Sequence, residues 1–171
     1  MCIDIAYVAA PRVCPPGARA KMPINFCAGP KYMFGLKLRD SEHTVLVIEG
    51  DPAAARTIRA ALAEWEGGPL NVQWAETLAE GVERLLKGRI SAVLLDLSLP
   101  DCEGLEGFDK ISLAAPTLPV LILTAVRDGG LPRQAVDRGA HDYLFKTHLD
   151  NHSLLRALRG LIERAICRHH P

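Results

Sequence analysis

From Thr44 onward the chain alternates short runs of branched apolar residues with longer stretches whose apolar positions recur every three to four residues. The apolar runs are Thr44–Ile48, Ser91–Asp96 and Val120–Leu123, with weaker ones at Val72–Ala75 and His141–Phe145. Between and after them, the helical period predicts helices over 52–66, 78–88, 104–114, 130–138 and 150–167. Runs that are apolar throughout, bounded by Pro and Gly, read as parallel strands buried on both faces.

Strand followed by helix, five times over, calls for one parallel sheet with helices on both sides, because each right-handed crossover covers a face. The expected fold class is therefore α/β, a flavodoxin-like (βα)5 doubly wound sheet of strand order 2-1-3-4-5. In that order the carboxyl ends of the central strands gather Glu49, Gly50 and Asp51 with Asp96 and with Thr124-Ala125, and the last strand delivers Lys146. Carboxylates, a hydroxyl and an ammonium at one rim suit Mg²⁺ and a phosphoryl group: hard oxygen ligands for the cation, donors for the phosphoryl oxygens. Attack of Asp96 on phosphorus, giving an aspartyl-phosphate, is the chemistry this suggests.

Composition adds boundaries. The 171 residues hold a single domain with a core of its own plus a tail. Twenty basic and twenty acidic side chains cancel, so no global field favours nucleic acid or a membrane surface. No apolar run approaches the roughly 20 residues of a membrane span, and the basic-then-apolar order of a signal peptide is missing, which reads as cytoplasmic. The five cysteines (Cys2, Cys14, Cys27, Cys102 and Cys167) are odd in number and form no C-x-x-C pair, the pattern of reduced thiols. Pro11, Pro15, Pro16, Pro23 and Pro30 break up the first forty or so residues, and residues 1–42 carry a net +3. Residues 1–42 are accordingly expected to be a poorly ordered extension, 43–168 the folded domain and 169–171 a tail.

Four segments then carry a resemblance: Val45-Leu46-Val47-Ile48-Glu49-Gly50-Asp51-Pro52, Leu94-Leu95-Asp96-Leu97-Ser98-Leu99-Pro100-Asp101, Pro119-Val120-Leu121-Ile122-Leu123-Thr124-Ala125 and Gly139-Ala140-His141-Asp142-Tyr143-Leu144-Phe145-Lys146. In this order and at predicted strand ends they resemble the receiver domains of two-component response regulators, over about Thr44 to Arg168. The resemblance implies that Asp96 is the phospho-acceptor, with a histidine kinase or phosphotransfer protein as donor. It implies that Lys146 binds a phosphoryl oxygen and holds the acidic cluster together, that Thr124 and Ala125 bind the phosphoryl group, and that Tyr143 swings between exposed and buried positions as Thr124 moves. Such a domain signals by accepting a phosphoryl group and is not an enzyme acting on other substrates.

The acidic pocket departs from the family, which carries two adjacent acids after the first strand where this chain reads Glu49-Gly50. A glycine offers no side-chain ligand, so Mg²⁺ would draw on Glu49, a shifted Asp51, Asp96 and the Ser98 backbone carbonyl, with lower affinity. The alternative is a degenerate receiver, a constitutive protein-binding or dimerisation module. Thr147 stands where the family often has proline. Ser98 and the apolar Val126 stand where the family tunes loss of phosphate, which is expected to be slow. A phosphatase or mutase with an Asp-x-Asp nucleophile is disfavoured, because Ser98 replaces the second acid.

In the last helix Leu154, Leu155, Leu158, Leu161, Ile162 and Ile166 share one stripe, a core-facing pattern. With the given sequence ending at Pro171, the expected output is protein contact and no nucleic acid. By resemblance the partner surface is the face of helix 4, strand 5 and helix 5, which could also support a homodimer. His141, His148 and His152 are expected to scatter rather than bind metal, and the Cys102 loop is expected to be exposed.

Overall fold

The computed structural model describes residues 42–125 and 130–168; the expected extension and tail, and Val126, lie outside the described residues. Five parallel strands make one sheet: β1 (His43–Ile48), β2 (Leu70–Ala75), β3 (Ala92–Asp96), β6 (Val120–Thr124) and β7 (Asp142–Phe145). Their order is β2-β1-β3-β6-β7, the 2-1-3-4-5 arrangement once the short hairpin strands β4 (Ser98–Leu99) and β5 (Cys102–Glu103) are set aside. Helices α1 (Pro52–Leu62), α2 (Leu78–Lys87), α3 (Leu105–Ala114), α4 (Gly130–Asp137) and α5 (Asn151–Arg168) are the crossovers and the closing element.

Alternation along each strand builds two cores. Leu46 and Ile48 of β1, Val93 and Leu95 of β3, and Val120 and Ile122 of β6 face one way and meet Leu78, Leu105, Phe108, Ile111 and Ala135 from α2, α3 and α4. Their neighbours Val45, Val47, Leu94, Leu121 and Leu123 face the other way and meet Ile58, Ala61 and Leu62 of α1 and Leu154, Leu158, Leu161 and Ile162 of α5. Period-2 side chains on a pleated strand require this when both faces are covered. Of the stripe expected on α5, Leu154, Leu158, Leu161 and Ile162 are buried, while Leu155 and Ile166 are partly buried against the same layer.

The structure corrects three expectations. The first helix ends at Leu62, not 66; beyond it Glu64 N–H and Trp65 N–H donate to the carbonyls three residues back, and Gly68 at φ 112° turns the chain into β2. The stretch after Asp96 is a two-residue hairpin rather than plain loop, with Ser98 opposite Glu103 and Leu99 opposite Cys102. That hairpin carries Cys102 inward, so its thiol is buried in the first core and burial pushes its pKa up. The sequence places Cys102 between Asp101 and Glu103 and shows no apolar run there, which is why it reads as exposed. No helix among the described residues is long and apolar enough to cross a membrane.

Candidate functional site

Parallel register fixes which strand ends meet. Ile48 pairs with Leu95 and Asp96 with Leu123, so Glu49, Asp96 and Thr124 leave the sheet at one edge, and Lys146 follows β7 directly. Buried runs end there in polar residues: Glu49 is 0 % exposed, Asp96 3 % and Thr124 1 %.

Lys146 ties the cluster together. Its Nζ donates to Glu49 Oε1 at 2.8 Å and lies 2.6 Å from Oε2, and it stands 2.8 Å from Asp96 Oδ2. Two buried carboxylates share one ammonium, leaving the cluster one negative charge in excess when both are ionised. Burial pushes the Glu49 carboxyl above its ordinary range, against the Lys146 and Asp51 hydrogen bonds that pull it down. The Asp51 backbone N–H donates to Glu49 Oε1 at 3.0 Å, and the Trp74 indole N–H of neighbouring β2 donates to the Glu49 carbonyl at 2.9 Å, so the turn after β1 holds its side chain and the adjacent strand its backbone. Asp96 Oδ1 is buried and has no hydrogen-bond partner among the described residues. An acceptor in that state is costly unless a ligand or cation satisfies it.

Asp51 stands apart from this group. It is the N-cap of α1, its Oδ1 accepting from Ala53 N–H at 2.9 Å and its Oδ2 from Ala54 N–H at 3.3 Å, with Pro52 opening the helix. The Ala53 hydrogen bond leads in holding its carboxyl below the usual range, and the side chain is exposed. Among the described residues no three His, Cys, Asp or Glu side chains gather into a metal-holding group. Gly50 adds no donor, and there is little room for one: a Cβ there would lie 2.7 Å from Pro100 Cδ.

Ala125 is exposed at the end of β6, while Thr124 is buried beside it and pairs in register with Phe145. Tyr143 is partly buried against the first core, its ring 5.5 Å from that of Phe145 and edge-on at 79°. Ser98 begins the hairpin two residues after Asp96. Thr147 lies in a single turn of 3-10 helix, Lys146–His148. Three supports of the site escape sequence reading: the Trp74 indole, the Pro100 ring over Gly50, and Asp101, whose carboxylate caps α2 through Leu78 N–H at 2.8 Å and Ala79 N–H at 3.0 Å. Only the Pro100-Asp101 turn signal hints at them.

Comparison with known proteins agrees with this geometry. Residues 45–159 match the response regulator receiver domain family. The KDP operon transcriptional regulatory protein KdpE of Escherichia coli is 36% identical over 102 residues, 60% of this chain and 44% of that protein. The response regulator MprA of a Mycobacterium species is 34% identical over 121 residues, 70% of this chain and 50% of that protein. The chain thus spans about half the length of the curated relatives it matches. The crystal structure of a CheY-like receiver domain protein from Methanospirillum hungatei superposes with a TM-score of 0.66 at 23% identity, covering 75% of this chain and 99% of that one, a likeness of fold. With the family match over two thirds of its length and an acid-and-lysine cluster at the carboxyl edge of a 2-1-3-4-5 sheet, the chain belongs to the response regulator receiver domains of two-component signalling.

Proposed function

We propose that this receiver accepts a phosphoryl group on Asp96 from the phosphohistidine of a histidine kinase or phosphotransfer protein in the cytoplasm. The observation that carries the reading is Asp96 Oδ1, buried, without a hydrogen-bond donor among the described residues, beside an ammonium already 2.8 Å from Oδ2. Attack by an Asp96 oxygen forms the O–P bond as the donor's N–P bond breaks, and the electron pair leaves with the imidazole nitrogen. Lys146 then exchanges part of its contact with Asp96 for a phosphoryl oxygen, while Glu49 keeps it anchored. Thr124 offers a hydroxyl to the same group, with Ala125 beside it, and Tyr143 follows by repacking against the first core, altering the face of α4, β7 and α5 toward a protein partner or a second copy.

The residues fit Mg²⁺ in reduced form. Asp96, Glu49 and the Ser98 carbonyl would hold it, since this cation is bound through one or two carboxylates with waters and phosphoryl oxygens completing its shell. Its contribution would be to neutralise charge between the carboxylate and the incoming phosphoryl group. Asp51, whose two oxygens cap α1, is a reserve ligand only at the expense of that cap.

Gly50 favours a second reading, a receiver that works without phosphorylation as a constitutive binding or dimerisation module. A Phos-tag mobility shift after acetyl phosphate, with and without Mg²⁺, separates the two. A Mg²⁺-dependent shift that Asp96→Asn abolishes is the expected result. No shift in the native chain, with one appearing in a variant carrying Gly50→Asp and Pro100→Ala, would establish the degenerate receiver. The second substitution is needed because an aspartate Cβ at 50 would press on the Pro100 ring.

A further inference from the structure

Strands β1 and β2 pair as far as Ile48 with Ala75, and the Glu49 N–H adds one more bond, to the Ala75 carbonyl at 3.0 Å. There the ladder stops, because the Glu76 N–H turns to Glu80 Oε2 at 3.0 Å and Thr77 caps α2. The Glu49 carbonyl takes its hydrogen bond from a side chain instead, the Trp74 indole N–H at 2.9 Å. Tryptophan suits the place, since its ring packs while its single N–H donates, and Trp74 lies partly buried against the second core. Trp65 packs against the same core, yet its Nε1 is buried with no hydrogen-bond partner among the described residues. An indole on this layer does not find an acceptor by default.

The carbonyl that Trp74 holds belongs to the Glu49–Gly50 peptide. Glycine restrains its own backbone less than any other residue, and Pro100 Cδ, 2.7 Å from where a Cβ at 50 would stand, bars a stiffer residue from the position. The orientation of this peptide decides where the Asp51 N–H lies. That N–H and Lys146 Nζ meet on the same carboxylate oxygen, Glu49 Oε1, at 3.0 and 2.8 Å. Turning the peptide would carry the Asp51 N–H off Oε1 and let the carboxylate swing away from Lys146, the ammonium that also stands 2.8 Å from Asp96 Oδ2. Position 50 has no side chain to fix the turn from within the pocket, so the fixing falls to the neighbouring strand.

We infer that Trp74 is a positioning residue for phosphoryl acceptance: its indole N–H fixes the Glu49–Gly50 peptide, and through it the carboxylate that holds Lys146 beside Asp96. The inference rests on the reading of Asp96 as phospho-acceptor, and its test separates the two. A double-mutant cycle of Trp74→Phe with Lys146→Met, read by urea unfolding of the full chain, needs no phosphorylation. Positioning predicts a coupling of about fivefold in the unfolding constant, because each change removes part of what holds Glu49. The same cycle with Trp65→Phe, which loses an indole that makes no N–H bond, is additive. A parallel cycle of Trp74→Phe with Glu49→Gln, a milder change, couples in the same way and keeps the test readable where the first double variant does not fold. In the acetyl phosphate mobility-shift assay at saturating Mg²⁺, Trp74→Phe is phosphorylated about tenfold more slowly than the native chain, and Trp65→Phe at the native rate. Additive effects of Trp74→Phe in both cycles overturn the inference whether or not the chain is phosphorylated. Coupling with an unchanged phosphorylation rate overturns it in favour of a purely structural clamp. A native chain that takes no phosphoryl group overturns the acceptor reading and this role with it, an outcome told apart because the cycles still couple.

Discussion

Lys146→Met keeps the length and apolar stem of the side chain and removes the charge that two buried carboxylates share. Lys146 Nζ stands 2.8 and 2.6 Å from the Glu49 oxygens and 2.8 Å from Asp96 Oδ2. At an effective dielectric near 20, charges about 4 Å apart attract by about 4 kcal/mol, so the two pairs sum to about 8 kcal/mol gross. Desolvation of the ammonium cancels part of that, and opening a buried pair by removing one partner costs about 3–5 kcal/mol net. For a domain of this size that corresponds to a fall in Tm of roughly 10–20 °C. Urea unfolding at pH 8 and pH 5 measures it, with the midpoint moving and the slope unchanged. The loss should shrink at pH 5, because the Glu49 carboxyl, raised by burial, loses the Lys146 hydrogen bond that pulls it down; the stability of its protonated form is present at low pH and disappears as pH rises through the folded value. Lys146→Met combined with Asp96→Asn should recover about 2 kcal/mol relative to additivity. A loss below about 1 kcal/mol at pH 8, or one that ignores pH, would refute the claim that Lys146 is the counter-ion of this cluster.

Glu49→Gln tests the raised carboxyl directly. Because burial lifts Glu49 above its ordinary 4.5, the protonated form contributes stability fully present below that pH and lost as pH rises through the folded value, so the native chain's advantage over Glu49→Gln should fall as pH rises above 4.5; a flat difference in urea midpoints contradicts it. Asp101→Ala strips α2 of two cap bonds and should cost about 1 kcal/mol in urea unfolding. Although burial opposes it, the Leu78 and Ala79 N–H groups hold the Asp101 carboxyl below 3.8, so its contribution persists above that pH and is lost as pH falls through the lowered folded value; an Asp101→Ala deficit that persists unchanged to pH 2 would exclude the cap. Gly81→Ala should destabilise by about 1–2 kcal/mol despite the better helix propensity of alanine, because its Cβ would fall 2.4 Å from Ile48 Cδ1; a gain in Tm would show that Ile48 moves aside freely.

The sheet was legible because burial on both faces writes itself into composition. Val93-Leu94-Leu95 and Val120-Leu121-Ile122-Leu123 leave no polar position for a half-exposed strand, and the helical stretches between them force parallel crossovers. Asp96 stood out as the charge ending such a run, and Lys146 as the cation following the last strand. The hairpin at Ser98–Glu103 was not legible: two-residue strands have no period to detect, and Cys102 is buried between two acids by the turn rather than by any pattern of its own. The end of α1 was misplaced because Trp65 continues the apolar rhythm while the backbone has already loosened ahead of Gly68.

Asp51 shows the same division. Sequence offers it as an acid one residue beyond Gly50, and only the backbone of α1 decides that both its oxygens face helix N–H groups. Local alternation and charge at strand ends are properties of neighbouring residues, so the sequence by itself determined the fold class and which residues reach the carboxyl edge. That Lys146 closes on Glu49, 97 residues away, and that Pro100 covers Gly50, were decided by strand order and packing, which no local period encodes because they depend on parts of the chain that meet only once the sheet is formed.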